Sequence, residues 1–340
     1  MCHLAQREMP AGKKQERVRC AFFEGHCSWR TGWLTNEVNS GHSMAPSCSE
    51  TRKNDRLPPM QRAATNSPRL SAIQYAKNNG PQRKHNELVL AFCQPAFLVE
   101  PSDTLRILDV GCGTGDFTRD GLLPCCLPCA KIVGVDVSPE MIEHARRHSE
   151  HEKIEYELLN IGGNVTEFLR RYGHFDRVYS FYCLQWLKDQ SMALKNIASL
   201  LFPGGQCLLV IPASQQPAAV WSRLAQMDRW KKYSEILTKH VSKSHTMKSK
   251  EEQLAYMSAM LREAHLSPSI FVLPRLVTFE GWSEQDVIAA HMGIVPINLL
   301  VAEEEKNQLL EDVTTLVKEI HGPGSDQTLF RNYIIMATKY

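Results

Sequence analysis

The sequence has no apolar run near the ~18 residues that a membrane-spanning helix needs. Its first stretch, MCHLAQREMPAGKKQERVRC, is charged throughout, where a secretory leader would be apolar. Charge of one sign is also lacking: the net charge is +2, from 39 basic and 37 acidic residues. No basic stripe with interleaved aromatics appears, so no nucleic-acid partner is expected. Zinc-ligand spacing is absent too. Cys2, Cys20, Cys27 and Cys48 follow no regular interval, and Cys125, Cys126 and Cys129 have no nearby fourth ligand. They read as a turn with buried thiols, with no metal. The 11 cysteines are odd in number and scattered, which suits a reducing, cytoplasmic chain and not a disulfide framework.

What is present is enough for a large core: 340 residues, 43% of them hydrophobic. Residues 1–68 differ from the rest. They are rich in Ser, Arg, Lys, Asn, Gly and Pro, with 10 basic and 6 acidic residues and no lasting period. They are expected to be a disordered extension, or to precede a true start at Met44 or Met60. Phe22, Phe23, Trp29 and Trp33 are its only candidates for a short docking segment. Residues 69–340 are then one domain, with 217–264 and 282–320 as helical segments on the substrate side.

The organising stretch is Arg106–Gly115, RILDVGCGTG. Ile107–Val110 reads as a buried parallel strand that feeds a tight turn. Gly111, Gly113 and Gly115 let the backbone approach a ligand. The spacing is G-x-G-x-G, with Asp116 where a dinucleotide fingerprint has its third glycine. A pyrophosphate prefers helix-end amides without a nearby carboxylate. Asp109 at the strand tip instead suits a cofactor that carries positive charge. S-adenosylmethionine has an ammonium, a sulfonium and no phosphate. The next run, Lys131–Asp136, ends in an acid placed to accept bonds from ribose hydroxyls, followed by Val137. Ser138-Pro139-Glu140 starts a helix with Ser as N-cap and Pro at the first position.

Upstream, Ser71–Phe97 is expected as two helical pieces, with Pro81 at a helix start, and these can cover a cofactor pocket with Tyr75 and Gln82. Beyond the first loop, a short helix is expected to end by Gly121–Pro124. Strands are expected at Ile154–Ile161, His174–Tyr182 and Gln206–Ala213. Asn160 and Ile161 fall where an adenine can be held, and Ser180 and Tyr182 end the fourth strand. Gln185 and Trp186 lie just beyond that end, where open α/β sheets bind ligands. Ser191–Phe202 reads as an amphipathic helix ended by Pro203-Gly204-Gly205. Pro217–Tyr256 is helical, with Trp221, Leu224, Met227 and Trp230 at helical spacing, either core or a lid. Glu251–Ala264 is a helix. Ser269–Glu280 and Leu329–Lys339 alternate as a last antiparallel pair of strands. Between them Gln285–Ile320 is helical, interrupted at Gly293 and Pro296. His291, Met292, Ile294, Val295 and Ile297 line a tunnel or fill a core. The fold class is thus α/β: a Rossmann-like, seven-stranded, mostly parallel sheet with helices on both faces and an antiparallel C-terminal edge strand.

This order of elements resembles the class I methyltransferases, and the helix–Pro-Gly-Gly–strand step is a second signature of that class. Residues 73–339 more closely resemble the juvenile hormone acid O-methyltransferases of arthropods. FDRVYSFYCLQW (Phe175–Trp186) is similar to that family's F-D-x-V-x-S-F-Y-x-L-H-W, and Tyr75…Asn79…Gln82 to its Y-x-x-x-N-x-x-Q. Met141, Asn196-Ile197 and Ile294–Pro296 also fit. The resemblance implies S-adenosylmethionine as cofactor and an apolar isoprenoid acid as substrate. It implies that Gln82 and Trp186 hold the substrate carboxylate, in a monomer or homodimer. Two departures stand out: Gln185 replaces the family's His, and Asn160 replaces its Asp. Other small acids, phenols, or cofactor binding without turnover are the competing readings.

Overall fold

Strands that are apolar on both faces can be buried only between two helical layers, and the alternation of such runs with amphipathic helices dictates the architecture. A computed structural model describes residues 71–340 apart from 188, 215, 240, 248, 275–282 and 322–330. The expected extension over 1–68, including Phe22, Phe23, Trp29 and Trp33, lies outside the described residues.

The strands are β1 (Arg106–Val110), β2 (Lys131–Asp136), β3 (Ile154–Leu158), β4 (Phe175–Phe181), β5 (Leu201–Ser214), β6 (Leu266–Val272) and β7 (Arg331–Lys339). They form one seven-stranded sheet in the order β3-β2-β1-β4-β5-β7-β6. The first five are parallel, and β7 runs antiparallel to both β5 and β6. The Rossmann-like sheet is as expected, except that the C-terminal strand sits one place in and β6 takes the edge. β6 also starts earlier than expected, at Leu266, and 275–280 lie outside the described residues. β3 stops at Leu158, short of Asn160 and Ile161.

Successive residues of β1 face opposite layers. Leu108 and Val110 pack with Leu194 and Ile197, whereas Ile107 packs with Val89 and Leu90. Each fully buried Leu or Ile contributes about 1.5–3 kcal/mol relative to exposure. Asp109 follows the alternation onto the face of Ile107.

Helices α1 (Ala72–Asn78) and α2 (Gly80–Cys93) precede the sheet, the first capped by Ser71 and the second with Pro81 in its first turn. After β1 the chain makes a π-turn over Thr118–Leu122 and then α3 (Leu123–Cys126), two residues beyond the expected end. Cys126 and Cys129 are buried and Cys125 is exposed. Among the described residues no group of three His, Cys, Asp or Glu is placed to hold a metal ion. α4 (Pro139–His148) is capped by Ser138, whose Oγ accepts from the Met141 N–H, and its last turn carries Arg146, Arg147 and His148 against the negative dipole end. α5 (Thr166–Tyr172) and α6 (Gln190–Leu200) complete the parallel half.

The expected helix end at Pro203-Gly204-Gly205 needs correction. α6 stops at Leu200, and Leu201 already pairs with Phe175. The Pro-Gly-Gly lies inside β5, at a register shift, with Gly204 at φ +79°. Burial of Leu201 between α6 and the sheet favours strand over another helical turn.

The remaining helices are α7 (Gln216–Leu224), α8 (Ser234–Lys239), α9 (Lys250–Glu263), α10 (Glu284–Ile294) and α11 (Lys306–His321). α9 packs on α6, and its Met257 and Leu261 join the sheet core. The others build a separate small core around Trp221, Trp230, Leu309 and Val313, on the ligand side of the strand ends. No described helix is long and apolar enough to cross a membrane.

Candidate active site

The carboxyl ends of β1, β2 and β4 open into one cleft with about 1070 Å³ of empty space, its open mouth included. Gly111, Gly113, Asp136, Val137 and Ile161 line one part of it, and Tyr75, Gln82, Tyr182, Gln185, Trp186 and Ile294 the other.

On the first side the loop is built by close approach. Gly111 has φ +80°, and a Cβ there would lie 2.3 Å from the Cys183 Cβ. That space is what lets the chain leaving β4 pass over the loop. The Gly113 N–H donates to Asp136 Oδ2 at 3.1 Å, and the Ser138 N–H donates to Oδ1 at 2.8 Å. The Asp136 carboxylate is thus held by these amides and that of Val137, with lone pairs left at the cleft wall. Asp109 is buried, and its Oδ2 accepts from the Thr118 hydroxyl at 2.6 Å. Burial pushes Asp109 up to about 6, the Thr118 hydrogen bond opposes this, and the Asp136 charge adds to the rise. Burial raises Asp136 as well, against hydrogen bonds from Ser138, Gly113 and Val137.

On the second side Tyr182 leaves β4 in the left-handed region, at φ +51°. A non-glycine residue there costs about 1–2 kcal/mol, and the surroundings hold it in place. Its N–H donates to Val210 O at 3.0 Å, and its carbonyl accepts from Gln185 Nε2 at 2.7 Å. Its hydroxyl accepts from Asn332 Nδ2 at 2.7 Å and therefore donates to His85 Nδ1, at 2.9 Å. Burial pushes His85 down to about 4, so the ring is a neutral acceptor. The Tyr75 hydroxyl donates to Gln82 Oε1 at 2.9 Å, which leaves the amide N–H groups as what Gln82 offers. The Trp186 ring lies 5.4 Å from that of Trp221, tilted by 31°. Burial raises Tyr75, Tyr182 and Cys183, so each is neutral at physiological pH.

A family profile described as a methyltransferase domain matches residues 107–205, from β1 through the Pro-Gly-Gly turn. The fold is that of a class I methyltransferase, and the matched domain takes S-adenosylmethionine as its cofactor. A juvenile hormone acid O-methyltransferase of Bombyx mori is 27% identical over 218 residues, 63% of this chain and 74% of that protein. One of Drosophila melanogaster is 32% identical over 186 residues, 54% of this chain and 62% of that protein, under two thirds of its length. Among solved structures, N-methyltransferase NodS from Bradyrhizobium japonicum in complex with S-adenosyl-l-homocysteine is 18% identical, with TM-score 0.41 over 77% of this chain and 89% of that one.

The residues of this methyltransferase fit the cofactor. Among the described residues neither Asp109 nor Asp136 has an ion-pair partner, although both are largely withdrawn from water. A cationic ligand would give Asp109 a counter-charge, and ribose hydroxyls would donate to the remaining lone pairs of Asp136.

Several candidate residues sit elsewhere than expected. Ser180 is fully buried and its Oγ donates to Val110 O at 2.9 Å, bracing β4 to β1 instead of lining the cleft. Asn160 is exposed, and its Oδ1 accepts the Gly162 N–H at 3.0 Å in a local turn. Gly115 makes room for Tyr156, whose ring would lie 2.7 Å from an added Cβ. Asp109 faces a smaller neighbouring cavity with Asn79, Arg83 and Asp116. Val295 is buried in the lid core, and of the expected tunnel residues Ile294 lines the cleft.

Sequence reasoning also missed a clamp. Asp116 accepts from Thr114 Oγ1 (2.5 Å), Arg83 (2.6 Å) and Asn79 Nδ2 (3.0 Å). Burial works to raise its pKa, but these donors hold it below the usual carboxylate value. The clamp ties α2 to the loop after β1 and so places Gln82. The departure of Asp116 from the dinucleotide pattern was its one sequence signal.

Proposed function

We propose that this methyltransferase esterifies the carboxylate of an apolar isoprenoid acid, of the farnesoic or juvenile hormone acid kind. The names of the two insect relatives support the substrate class. The observation that carries the reaction type is the protonation state of the cleft wall. Tyr75, Tyr182 and Cys183 are held neutral by burial, and Asp136 is committed to the amides of Gly113 and Ser138. His85, behind Tyr182, is a weak base at about 4. A phenol with a pKa near ~10 needs a base to lose its proton, whereas a carboxylic acid near ~4–5 is already ionised at neutral pH.

Bound S-adenosylmethionine supplies an electrophilic methyl on a sulfonium. Asp136 would hold the ribose hydroxyls, Val137 and Ile161 would flank the adenine, and Asp109 would favour the cationic end. The Gln82 amide and the Trp186 indole position the substrate carboxylate with neutral donors, which orient an oxygen without quenching its nucleophilicity as a guanidinium would. A carboxylate oxygen so placed would be the nucleophile toward that methyl, with no proton to remove first. The rate enhancement comes from holding that oxygen in line and from excluding water under the lid helices.

The test is turnover with farnesoic acid beside short fatty acids and a phenol panel. Methyl farnesoate formation well above the panel is expected. Faster methylation of a phenol overturns the proposal. Cofactor binding with no transfer to anything points to a chain that has lost turnover, with Gln185→His as the variant to examine.

A further inference from the structure

Three elements meet at the Tyr182 hydroxyl. Asn332, at the start of β7, donates to it from Nδ2 at 2.7 Å, and the hydroxyl donates to Nδ1 of His85, on α2, at 2.9 Å. The His85 and Tyr182 rings meet edge to face, with centroids 5.7 Å apart and planes at 68°. Gln82 lies three positions before His85, on the same face of α2. Gln82 and Tyr182 both line the cleft, whereas His85 and Asn332 are not among its lining residues. His85 thus stands behind the wall, joining the helix that carries Gln82 to the strand end that carries Tyr182.

The contact has a fixed polarity. The Asn332 amide donates to the hydroxyl oxygen, so the single hydroxyl proton goes to His85. Burial keeps the imidazole neutral at physiological pH, with its own proton on Nε2. A side chain of similar size without an acceptor leaves the Tyr182 proton without that partner. The Tyr182 ring depends on such partners, because its backbone is held in the left-handed region at φ +51°. Strain of that kind is of the same order as a hydrogen bond, and it persists only where the surroundings over-determine it. α2 has a second tie, from Arg83 and Asn79 to Asp116, but this one reaches the glycine loop and not the acid side.

We infer that His85 is a positioning residue for the transfer: it locks the helix of Gln82 to the wall of Tyr182, and so sets the gap in which the acid carboxylate is held. This rests on the reading of the cleft as a site for carboxyl methylation. His85 touches neither the substrate nor the reacting atoms; it acts through Tyr182 and the placement of α2. Its loss misplaces the carboxylate, and a shift of about 1 Å can cost a hundredfold in rate. The cofactor side stays as the Asp116 clamp leaves it.

The experiment compares His85→Phe, which keeps a ring but offers no acceptor, with His85→Asn, whose Oδ1 can take the place of Nδ1. If His85→Phe does not fold, His85→Leu stands in for it. Turnover of farnesoic acid is measured, with calorimetric affinities for S-adenosylhomocysteine and for farnesoic acid on the protein loaded with it. His85→Phe is expected to lower kcat about tenfold and to weaken acid binding about threefold or more, with S-adenosylhomocysteine affinity changed by less than about twofold. His85→Asn is expected to recover kcat to within about threefold of native. In a Tyr182→Phe background, which has no hydroxyl to hold, the further change on His85→Phe is expected to be below about twofold. Equal losses in the Phe and Asn variants, or a full effect of His85→Phe without the Tyr182 hydroxyl, overturn the inference and make His85 a packing residue. The proposed function survives that outcome when the native protein still methylates farnesoic acid. If the native protein methylates only a phenol, or nothing, the proposed function falls and the farnesoic acid affinities decide. The same acceptor-dependent pattern there keeps His85 as a positioning residue of the cleft, and its absence overturns both.

Discussion

Replacing Asp109 with Asn separates the interests of the fold from those of the cofactor. Asp109 is 3% exposed, and burial, with the Asp136 charge adding to it, pushes its pKa up to about 6 despite the Thr118 hydrogen bond. An ordinary Asp titrates near ~3.9, and each pKa unit is worth about 1.36 kcal/mol, so ionising Asp109 inside the fold costs about 3 kcal/mol. A folded pKa above the unfolded one means that this group favours the fold most fully below about pH 4, and that the benefit is lost as pH rises through about 6. The amide variant can still accept from Thr118, but it does not titrate. Its stability relative to the native protein is therefore expected to climb by about 3 kcal/mol between about pH 4 and 7.5. In thermal melts this is on the order of 5–10 °C for a domain of this size. Urea melts across the pH series measure it, with the cofactor absent. S-adenosylmethionine affinity, measured by calorimetry at neutral pH, is expected to fall at least about tenfold, because the cationic end loses its counter-charge. A stability difference that stays flat across the pH series refutes the assignment of a buried, ionised Asp109.

Asp136→Ala removes the acceptor for the Gly113 and Ser138 amides as well as the proposed ribose contact. Cofactor affinity is expected to drop about 30-fold or more, and an unchanged dissociation constant counts against the contact. Gly115→Ala drives a methyl into the Tyr156 ring at a residue with φ +74°. A loss of about 2–4 kcal/mol in urea melts is expected, and a loss below about 1 kcal/mol would show that Tyr156 moves aside freely. Trp186→Phe is expected to lower kcat/KM for the acid about tenfold with the cofactor dissociation constant changed by less than about twofold; equal loss of both makes Trp186 a structural residue.

Much of the first side of the cleft was legible because its determinants are local. Gly111, Gly113 and Asp136 lie at the ends of two short apolar runs, and Ser138-Pro139 announces its helix within three residues. Where the reading went astray, the deciding partner was remote. Leu201 and Phe202 continue a helical pattern, yet Leu201 pairs with Phe175, 26 positions earlier. Ser180 reads as a strand-end ligand until the carbonyl of Val110 claims its hydroxyl. Asn160 sits in the expected region, but its own turn at Gly162 uses its oxygen. The placement of β7 between β5 and β6 follows from sheet closure, which no window of sequence encodes.

The position of β7 sets an order of assembly. It is the last strand in the chain, yet it fills the slot between two that precede it. Until it docks, β5 and β6 each present an unpaired edge, a state open to wrong pairing with other chains. Asn332, at its start, reaches the Tyr182 hydroxyl across 150 residues, so the wall of the cleft is completed by a contact that closes a long loop. Contacts that close such long loops form late. The wall of the cleft at Tyr182 is therefore complete only once the last strand of the chain has taken its slot.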